Sequence, residues 1–142
     1  MLEYEQPTPY IVESTDYKND YSIPVLTEGK SFIIGYTNET SGIKTDLPVI
    51  IFDDFTTASK YVDFPFKVKS SAMKILTANE KLINTKYAFY AMQCIECDCY
   101  NHKRYWISDF SNKLIPLPPL EEQLNIVHTI EKLYNYIEKS LN

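Results

Sequence analysis

Glycine is scarce in this chain of 142 residues, and that scarcity limits what the chain can bind. Its three glycines, at positions 29, 35 and 42, stand far apart. They cannot form the glycine-rich loop that holds a phosphate in nucleotide-binding proteins. The G-x-S-x-G and H-E-x-x-H motifs are absent too, and no acid–acid–lysine cluster indicates a nuclease. We therefore predict a protein that is not an enzyme and that carries no cofactor.

Cysteine and histidine are also few, with three and two residues. An odd number of cysteines argues against a disulfide framework. Four of these side chains fall within nine positions, as Cys94, Cys97, Cys99 and His102, so zinc binding is one interpretation. Structural zinc sites usually draw two ligand pairs from separate segments. The favoured interpretation is therefore buried thiols beside a surface histidine, with no metal site.

Long apolar runs are absent as well. No segment approaches the ~20 apolar residues that span a bilayer. The first residues lack the basic and apolar parts of a signal peptide. On these grounds we expect a cytoplasmic protein with no membrane partner.

Arginine occurs once, as Arg104, and the net charge is −5. The charge is unevenly spread along the chain. Residues 1–55 hold three basic and ten acidic residues, residues 56–106 hold eight and four, and residues 107–142 hold three and five. The middle third is therefore the one segment whose charge suits a polyanion. Solvated surface lysines are the alternative interpretation.

Short apolar and β-branched runs dominate the first two-thirds of the chain and predict strands, for example at residues 10–15, 22–27, 31–37 and the first half of 48–55. Asp53 and Asp54 end one of these runs, and we expect them to face solvent or to cap a turn. A helix is predicted over 84–97, starting with Asn84 as the cap. The predicted fold class is α+β, with a mixed, β-rich domain over residues 1–114 and a separate helical element over 115–142.

Three prolines within four residues introduce the second element, at positions 116, 118 and 119. Proline disfavours helix at the preceding residue, so this elbow is extended and sets where the helix begins. The helix then repeats apolar residues at spacings of four, three and four, which is the seam of a coiled coil: Ile126, Ile130, Leu133 and Ile137. The seam is predicted to meet a partner helix or a second copy, and packing back on its own domain is the alternative.

Several segments together resemble one family. "HKRYWIS" (102–108) followed by "IPLPPLEEQLNIV" (115–127) is similar to the end of a target recognition domain in specificity (S) subunits of type I restriction-modification systems. "LEYEQPTPYIVEST" (2–15) resembles the lead-in to such a domain, and "VIIFDDFTTASKYVDFPFKVKSSAMKIL" (49–76) resembles its strand core. The "PLPPLEEQ" motif is specific, whereas the strand segments are weak taken alone.

The resemblance implies a non-catalytic subunit that binds double-stranded DNA and directs a DNA adenine methyltransferase (M) subunit and a restriction (R) subunit to a split target. Such a subunit usually has two recognition domains and two helices. This sequence has one of each, as a half-subunit or a fragment would, and a half-subunit would dimerise or pair with a second recognition half through its helix. The DNA-binding residues expected from resemblance and charge together are Arg104, Lys103, His102, Tyr105, Lys60, Thr57, Lys67, Lys69 and Lys74. Arg104 is the first candidate for a guanine contact, and Trp106 is expected in the core.

A different class of function stays open. The chain could be a protein-interaction module that docks a partner helix through residues 119–141 and has no affinity for DNA. The salt dependence of DNA binding discriminates the two, because phosphate contacts weaken steeply as salt rises.

Overall fold

Strands from the first half of the chain form two sheets, and helices follow them. The computed structural model describes residues 1–28, 31–96, 106 and 110–141. The strands are β1 (Leu2–Glu5), β2 (Ile23–Leu26), β3 (Ile33–Thr37), β4 (Val49–Asp53), β5 (Ser59–Val62), β6 (Lys67–Val68) and β7 (Met73–Ala78). The α-helices are α1 (Thr85–Gln93) and α2 (Leu120–Leu141), and short 3₁₀ turns lie at Thr8–Tyr10 and Phe110–Asn112. The predicted α+β class is confirmed.

The larger sheet has the strand order β1–β7–β4–β5 and is antiparallel throughout. The smaller sheet has the order β3–β2–β6, with β2 antiparallel to β3 and parallel to β6. The predicted β2–β3 hairpin is therefore present, although residues 29–30 of its turn lie outside the described residues.

Strand β4 lies in the middle of three layers. Ile50 and Phe52 pack with residues of α1 and α2 on one face of the larger sheet. Val49 and Ile51 pack with Leu26 and other residues of the smaller sheet on the opposite face. All five residues of β4 are buried. A strand covered on both faces has no polar side, which is why this segment is a continuous apolar run.

Residues 10–15 do not form the strand that was predicted for them. Ile11 makes a single bridge to Val68. The amides of Glu13 and Ser14 then donate to one carboxylate oxygen of Glu39, at 3.0 Å each. A side-chain acceptor takes the place of a neighbouring strand here, so the ladder stops after one bridge.

Both helices begin where the sequence predicts. Asn84 caps α1, since its Oδ1 accepts the amide of Tyr87 at 3.1 Å. Helix α2 begins directly after the proline elbow, and the carbonyl of Pro119 accepts the amide of Gln123 at 3.0 Å. Within the described ranges, no helix is long and apolar enough to cross a membrane.

Candidate functional site

Four of the lysines predicted to contact DNA are described by the structure, and they divide into a buried and an exposed pair. Lys67 and Lys74 are each only 3% exposed, whereas Lys60 and Lys69 are exposed. A buried ammonium engaged with a carboxylate offers no charge to a phosphate. Lys60 and Lys69 therefore present more charge to a phosphate than Lys67 and Lys74 do, and the DNA contacts of all four stay predictions.

Lys67 belongs to an internal cluster. Its Nζ lies 2.8 Å from Oε2 of Glu39 and donates to the carbonyl of Ser41 at 2.7 Å. Burial alone would raise the pKa of the Glu39 carboxyl. The hydrogen bonds from Lys67 and from the amides of Ser14 and Glu13 outweigh burial and hold that pKa below its ordinary value of 4.5. Lys67 thus joins β6 to the residues that follow β3. Glu39 joins the same residues to the backbone of Glu13 and Ser14.

Lys74 faces a second buried carboxylate, that of Asp54, which is 2% exposed. Its Nζ lies 3.9 Å from Asp54 Oδ2, 3.4 Å from Gln6 Oε1 and 5.4 Å from the centre of the Tyr4 ring. The other carboxylate oxygen of Asp54 accepts the backbone amide of Trp106 at 2.8 Å. Asp54 therefore attaches Trp106 to the end of the larger sheet at which β4 ends.

Trp106 is held by its ring as well as by its amide. It is 7% exposed, which confirms that it belongs to the core. Its ring lies 5.3 Å from the Phe52 ring in an edge-to-face arrangement, and 6.2 and 6.3 Å from the rings of Tyr4 and Phe110. The predicted contacts immediately before it in the sequence, His102, Lys103, Arg104 and Tyr105, lie outside the described residues.

The turn between β4 and β5 lies at the same end of the larger sheet. Asp53 caps this turn, since its Oδ1 accepts the amide of Phe55 at 2.9 Å and its Oδ2 accepts the Thr56 hydroxyl at 2.8 Å. Asp53 thus caps the turn, as one of the two predicted alternatives stated, and Asp54 binds the amide of Trp106. Neither residue faces solvent, which was the other alternative. Thr57 has a φ of 62°, which is uncommon for a β-branched residue and marks a strained tip.

The exposed candidates lie close to this turn. Lys60 lines a shallow depression with Ala58, the neighbour of Thr57, and with Glu28. Ser70, the neighbour of Lys69, donates to Glu28 at 3.3 Å. The residues next to Thr57 and Lys69 therefore lie near the depression that Lys60 lines.

The proposed zinc ligands are only partly described. Cys94 is an exposed free thiol at the end of α1, so the expected burial of the thiols is wrong for this residue. Cys97, Cys99 and His102 lie outside the described residues. Within residues 1–28, 31–96, 106 and 110–141, no group of three or more potential ligands could hold a metal ion.

The elbow and the first turns of α2 are attached to the domain by side chains whose role the sequence analysis did not predict, although Gln123 ends the "PLPPLEEQ" motif. Gln123 is fully buried and binds backbone groups of the loop before α1 and of the elbow. The Tyr87 hydroxyl donates to the carbonyl of Pro116 at 2.8 Å. Farther along α2, the Lys86 ammonium donates to Glu131 at 2.6 Å.

The predicted seam of α2 divides into two halves. Ile126 and Ile130 are half-buried and border an apolar groove with Tyr87, Tyr90, Ala91, Cys94 and Pro116. Leu133 and Ile137 are 58% and 53% exposed. Packing back on the domain therefore holds for the first half of the seam, and the second half is open to a partner.

Comparisons with known proteins agree with this architecture. The profile of the family described as "Type I restriction modification DNA specificity domain" matches residues 3–142. The chain is 54% identical over 125 residues to the specificity subunit of the type I restriction enzyme EcoR124I/EcoR124II of Escherichia coli. The crystal structure of the HsdS subunit from Thermoanaerobacter tengcongensis is similar with a TM-score of 0.58 over 97% of this chain, at 13% identity. The latter likeness concerns the fold alone.

The chain is shorter than both relatives. The match covers 83% of this chain but 30% of the Escherichia coli protein, and 38% of the solved chain. This chain thus spans about a third of the length of the proteins that it resembles.

Proposed function

Because this chain belongs to the family of type I restriction-modification DNA specificity domains, we propose that it reads one half of a split target in double-stranded DNA. In this role it carries no catalytic group of its own. It directs a DNA adenine methyltransferase subunit and a restriction subunit to the site, in the cytoplasm. The family match over residues 3–142 carries this proposal.

The proposed DNA-facing surface lies at the end of the larger sheet where β4 turns into β5. Asp54 binds the amide of Trp106 there, directly after the segment His102–Tyr105 in the sequence. A reading side chain discriminates bases only if its support is rigid, and a buried anchor provides that support. Arg104 is proposed to contact guanine, with Lys103, His102 and Tyr105 beside it.

Phosphate contacts are proposed for the exposed residues near the turn. Lys60 and Lys69 supply the positive charge, and Thr57 supplies a hydroxyl at the tip. Such contacts fix the register of the protein on the duplex without reading the sequence.

The second half of the target requires a second recognition domain. We propose that the seam of α2 (Ile126, Ile130, Leu133 and Ile137) pairs with the helix of that domain, either in a second copy of this chain or in the other half of a longer subunit. A twofold dimer presents the same surface twice, so two identical halves read a split palindrome.

The test is DNA binding by the chain together with its methyltransferase partner, across a range of salt concentrations. Methylated adenines sequenced from cells that carry both proteins define the target. Arg104→Ala should weaken binding to that target by about 1–3 kcal/mol and relax the base preference at one position. Lys60→Ala and Lys69→Ala should each lower the slope of log affinity against log salt by about 0.9.

Lys18→Ala is the matched control, since Lys18 is an exposed lysine of the acidic first segment with 55% of its side chain accessible. It should change neither the affinity nor the salt slope. Equal affinities with and without Arg104 would show that Arg104 reads no base.

The exposed half of α2 also supports the alternative, a module that docks a partner helix through residues 119–141. Tyr136, Ile137 and Leu141 are 72%, 53% and 81% exposed, which is an apolar surface suited to a helix. This function predicts a stable protein complex and no salt-dependent affinity for DNA. The salt titration therefore separates the two proposals.

A further inference from the structure

Gln123 is a polar residue whose side chain is fully buried. It lies in the first turn of α2 and is 0% exposed. Its Oε1 accepts the backbone amide of Asn84 at 2.8 Å. Its Nε2 donates to the carbonyls of Leu82 and Pro118, at 3.1 and 2.8 Å. Both amide hydrogens are thus used, and the partners define the orientation of the side chain, since a reversed amide would face donor with donor.

These three bonds join three pieces of the chain at one point. Asn84 is the cap of α1, Leu82 belongs to the loop before it, and Pro118 belongs to the elbow. Hydrogen bonds are directional, whereas the apolar contacts of Ile126, Val127 and Ile130 are not. Gln123 therefore determines the angle at which α2 leaves the domain more strictly than the packing around it does.

Other attachments of α2 are weaker or lie closer to the elbow. The Tyr87 hydroxyl holds Pro116, which precedes the helix. The Lys86–Glu131 pair is 38% exposed on both sides, and exposed ion pairs contribute little. The rings of Tyr90 and Tyr134 stack with their centroids 6.3 Å apart, but Tyr134 is 56% exposed. Every described residue from Lys132 to Leu141 is exposed.

Because α2 is long, a small change in its direction at Gln123 displaces its far end by a larger distance. From Gln123 to Leu141 is about 27 Å at the rise of an α-helix, so a tilt of about 10° moves the far end by about 5 Å. One base pair of DNA rises about 3.4 Å. A small change in angle at Gln123 thus corresponds to more than one base pair at the far end.

We infer that Gln123 is a positioning residue that sets the direction of α2, and through it the length of the gap between the two half-sites. This inference rests on the proposed function. The length of the gap then depends on the hydrogen bonds of Gln123 as well as on the length of α2.

The test compares Gln123→Met with wild type on three duplexes, with the native gap and with the gap one base pair shorter or longer. Methionine keeps the volume of glutamine and removes its hydrogen bonds. The methyltransferase partner is present throughout. We expect the preference for the native gap to fall at least threefold. The ratio is informative because a general loss of stability lowers binding to all three duplexes in the same proportion.

Gln93→Met is the matched control. Gln93 is an exposed glutamine in the last turn of α1 whose Nε2 donates to the Ser59 hydroxyl at 2.6 Å. This variant should keep the wild-type ratio. An unchanged ratio in Gln123→Met, with wild type discriminating, would overturn the inference and leave the proposed function intact. No binding of any split target by wild type would overturn the proposed function itself.

A distance measurement tests the same inference without DNA. Nitroxide labels on cysteines at Asp63 and Ser140, in a chain whose three natural cysteines are replaced by serine, report the angle of α2. Dilution with unlabelled chain leaves only distances within one molecule. Gln123→Met should broaden or shift the distance distribution, and Gln93→Met should not. If Gln123→Met does not fold, Gln123→Glu replaces it, because glutamate accepts from Asn84 but cannot donate to Leu82 and Pro118. A wild-type distribution in the folded variant would contradict the inference.

Discussion

Replacing Lys74 by methionine should destabilise the protein by about 3 kcal/mol. The substitution removes the ammonium that faces the carboxylate of Asp54, and the two residues are 3% and 2% exposed. Removing one partner of a buried ion pair costs about 3–5 kcal/mol, because the other charge stays buried. The lower end applies here because the nitrogen–oxygen distance of 3.9 Å is long. A domain of ordinary stability survives this loss, since it begins with about 5–15 kcal/mol.

Urea denaturation followed by tryptophan emission measures the change in the free energy of unfolding with Trp106 as the reporter. Trp106 is the only tryptophan of the chain, and its backbone amide is bound to Asp54 at 2.8 Å. The emission of Trp106 therefore reports on the surroundings of Asp54. Circular dichroism recorded in parallel shows whether the transition involves the whole domain.

Two further variants make this prediction specific. Asp54→Asn combined with Lys74→Met removes both charges and keeps an oxygen that accepts the Trp106 amide, so it should recover stability to within about 1 kcal/mol of wild type. Lys86→Met is the matched control, since it breaks the exposed pair with Glu131 and should cost about 0–1 kcal/mol. If Lys74→Met costs no more than Lys86→Met, the argument from burial is refuted.

Two other predictions follow from the described contacts. Replacing Leu133 and Ile137 by glutamate should abolish the proposed dimer in light scattering, whereas Leu114→Glu, at a leucine 95% exposed outside the seam, should not; a doubly substituted chain that is dimeric would contradict the seam. Glu39→Gln should cost about 2 kcal/mol at pH 7. The pKa of Glu39 is lowered by folding, so its contribution is present above pH 4.5 and is lost as the pH falls through the folded pKa. Urea curves of variant and wild type should therefore converge in acid, and a constant difference would contradict this assignment.

Local signals in the sequence predicted the elements well. The cap at Asn84, the start of α2 after the elbow and the burial of β4 each depend on residues within a few positions of one another. The core position of Trp106 was also predicted, because a large ring next to polar residues has few other places to pack. These features are properties of short segments, so a single sequence contains them.

The partners of the buried polar groups could not be predicted in the same way. Gln123 binds residues 39 and 41 positions away, and Lys67 donates to a carbonyl 26 positions away. The "PLPPLEEQ" motif includes Gln123 but does not indicate its partners, and no local pattern distinguishes Lys67 from a solvated lysine. A lysine between apolar residues, as in "FKVK", reads as the polar side of a half-exposed strand. Lys67 is buried here because Glu39 and Ser41, which follow β3, contact its ammonium.

The seam of α2 shows why periodicity identifies an interface without identifying its partner. Ile126 and Ile130 continue into Leu133 and Ile137 at unbroken coiled-coil spacing, yet the first pair packs near α1 and the second pair is more than half exposed. The spacing reports only that one face of the helix is apolar. What divides that face is the end of the domain, whose contacts with α2 include the Lys86–Glu131 pair and the stacked rings of Tyr90 and Tyr134. The exposed part is about 10 residues long, and isolated helices below ~12–15 residues are marginal in water. The far half of α2 is therefore expected to depend on the attachments of the first half, from Gln123 to Tyr134, to stay helical and aligned.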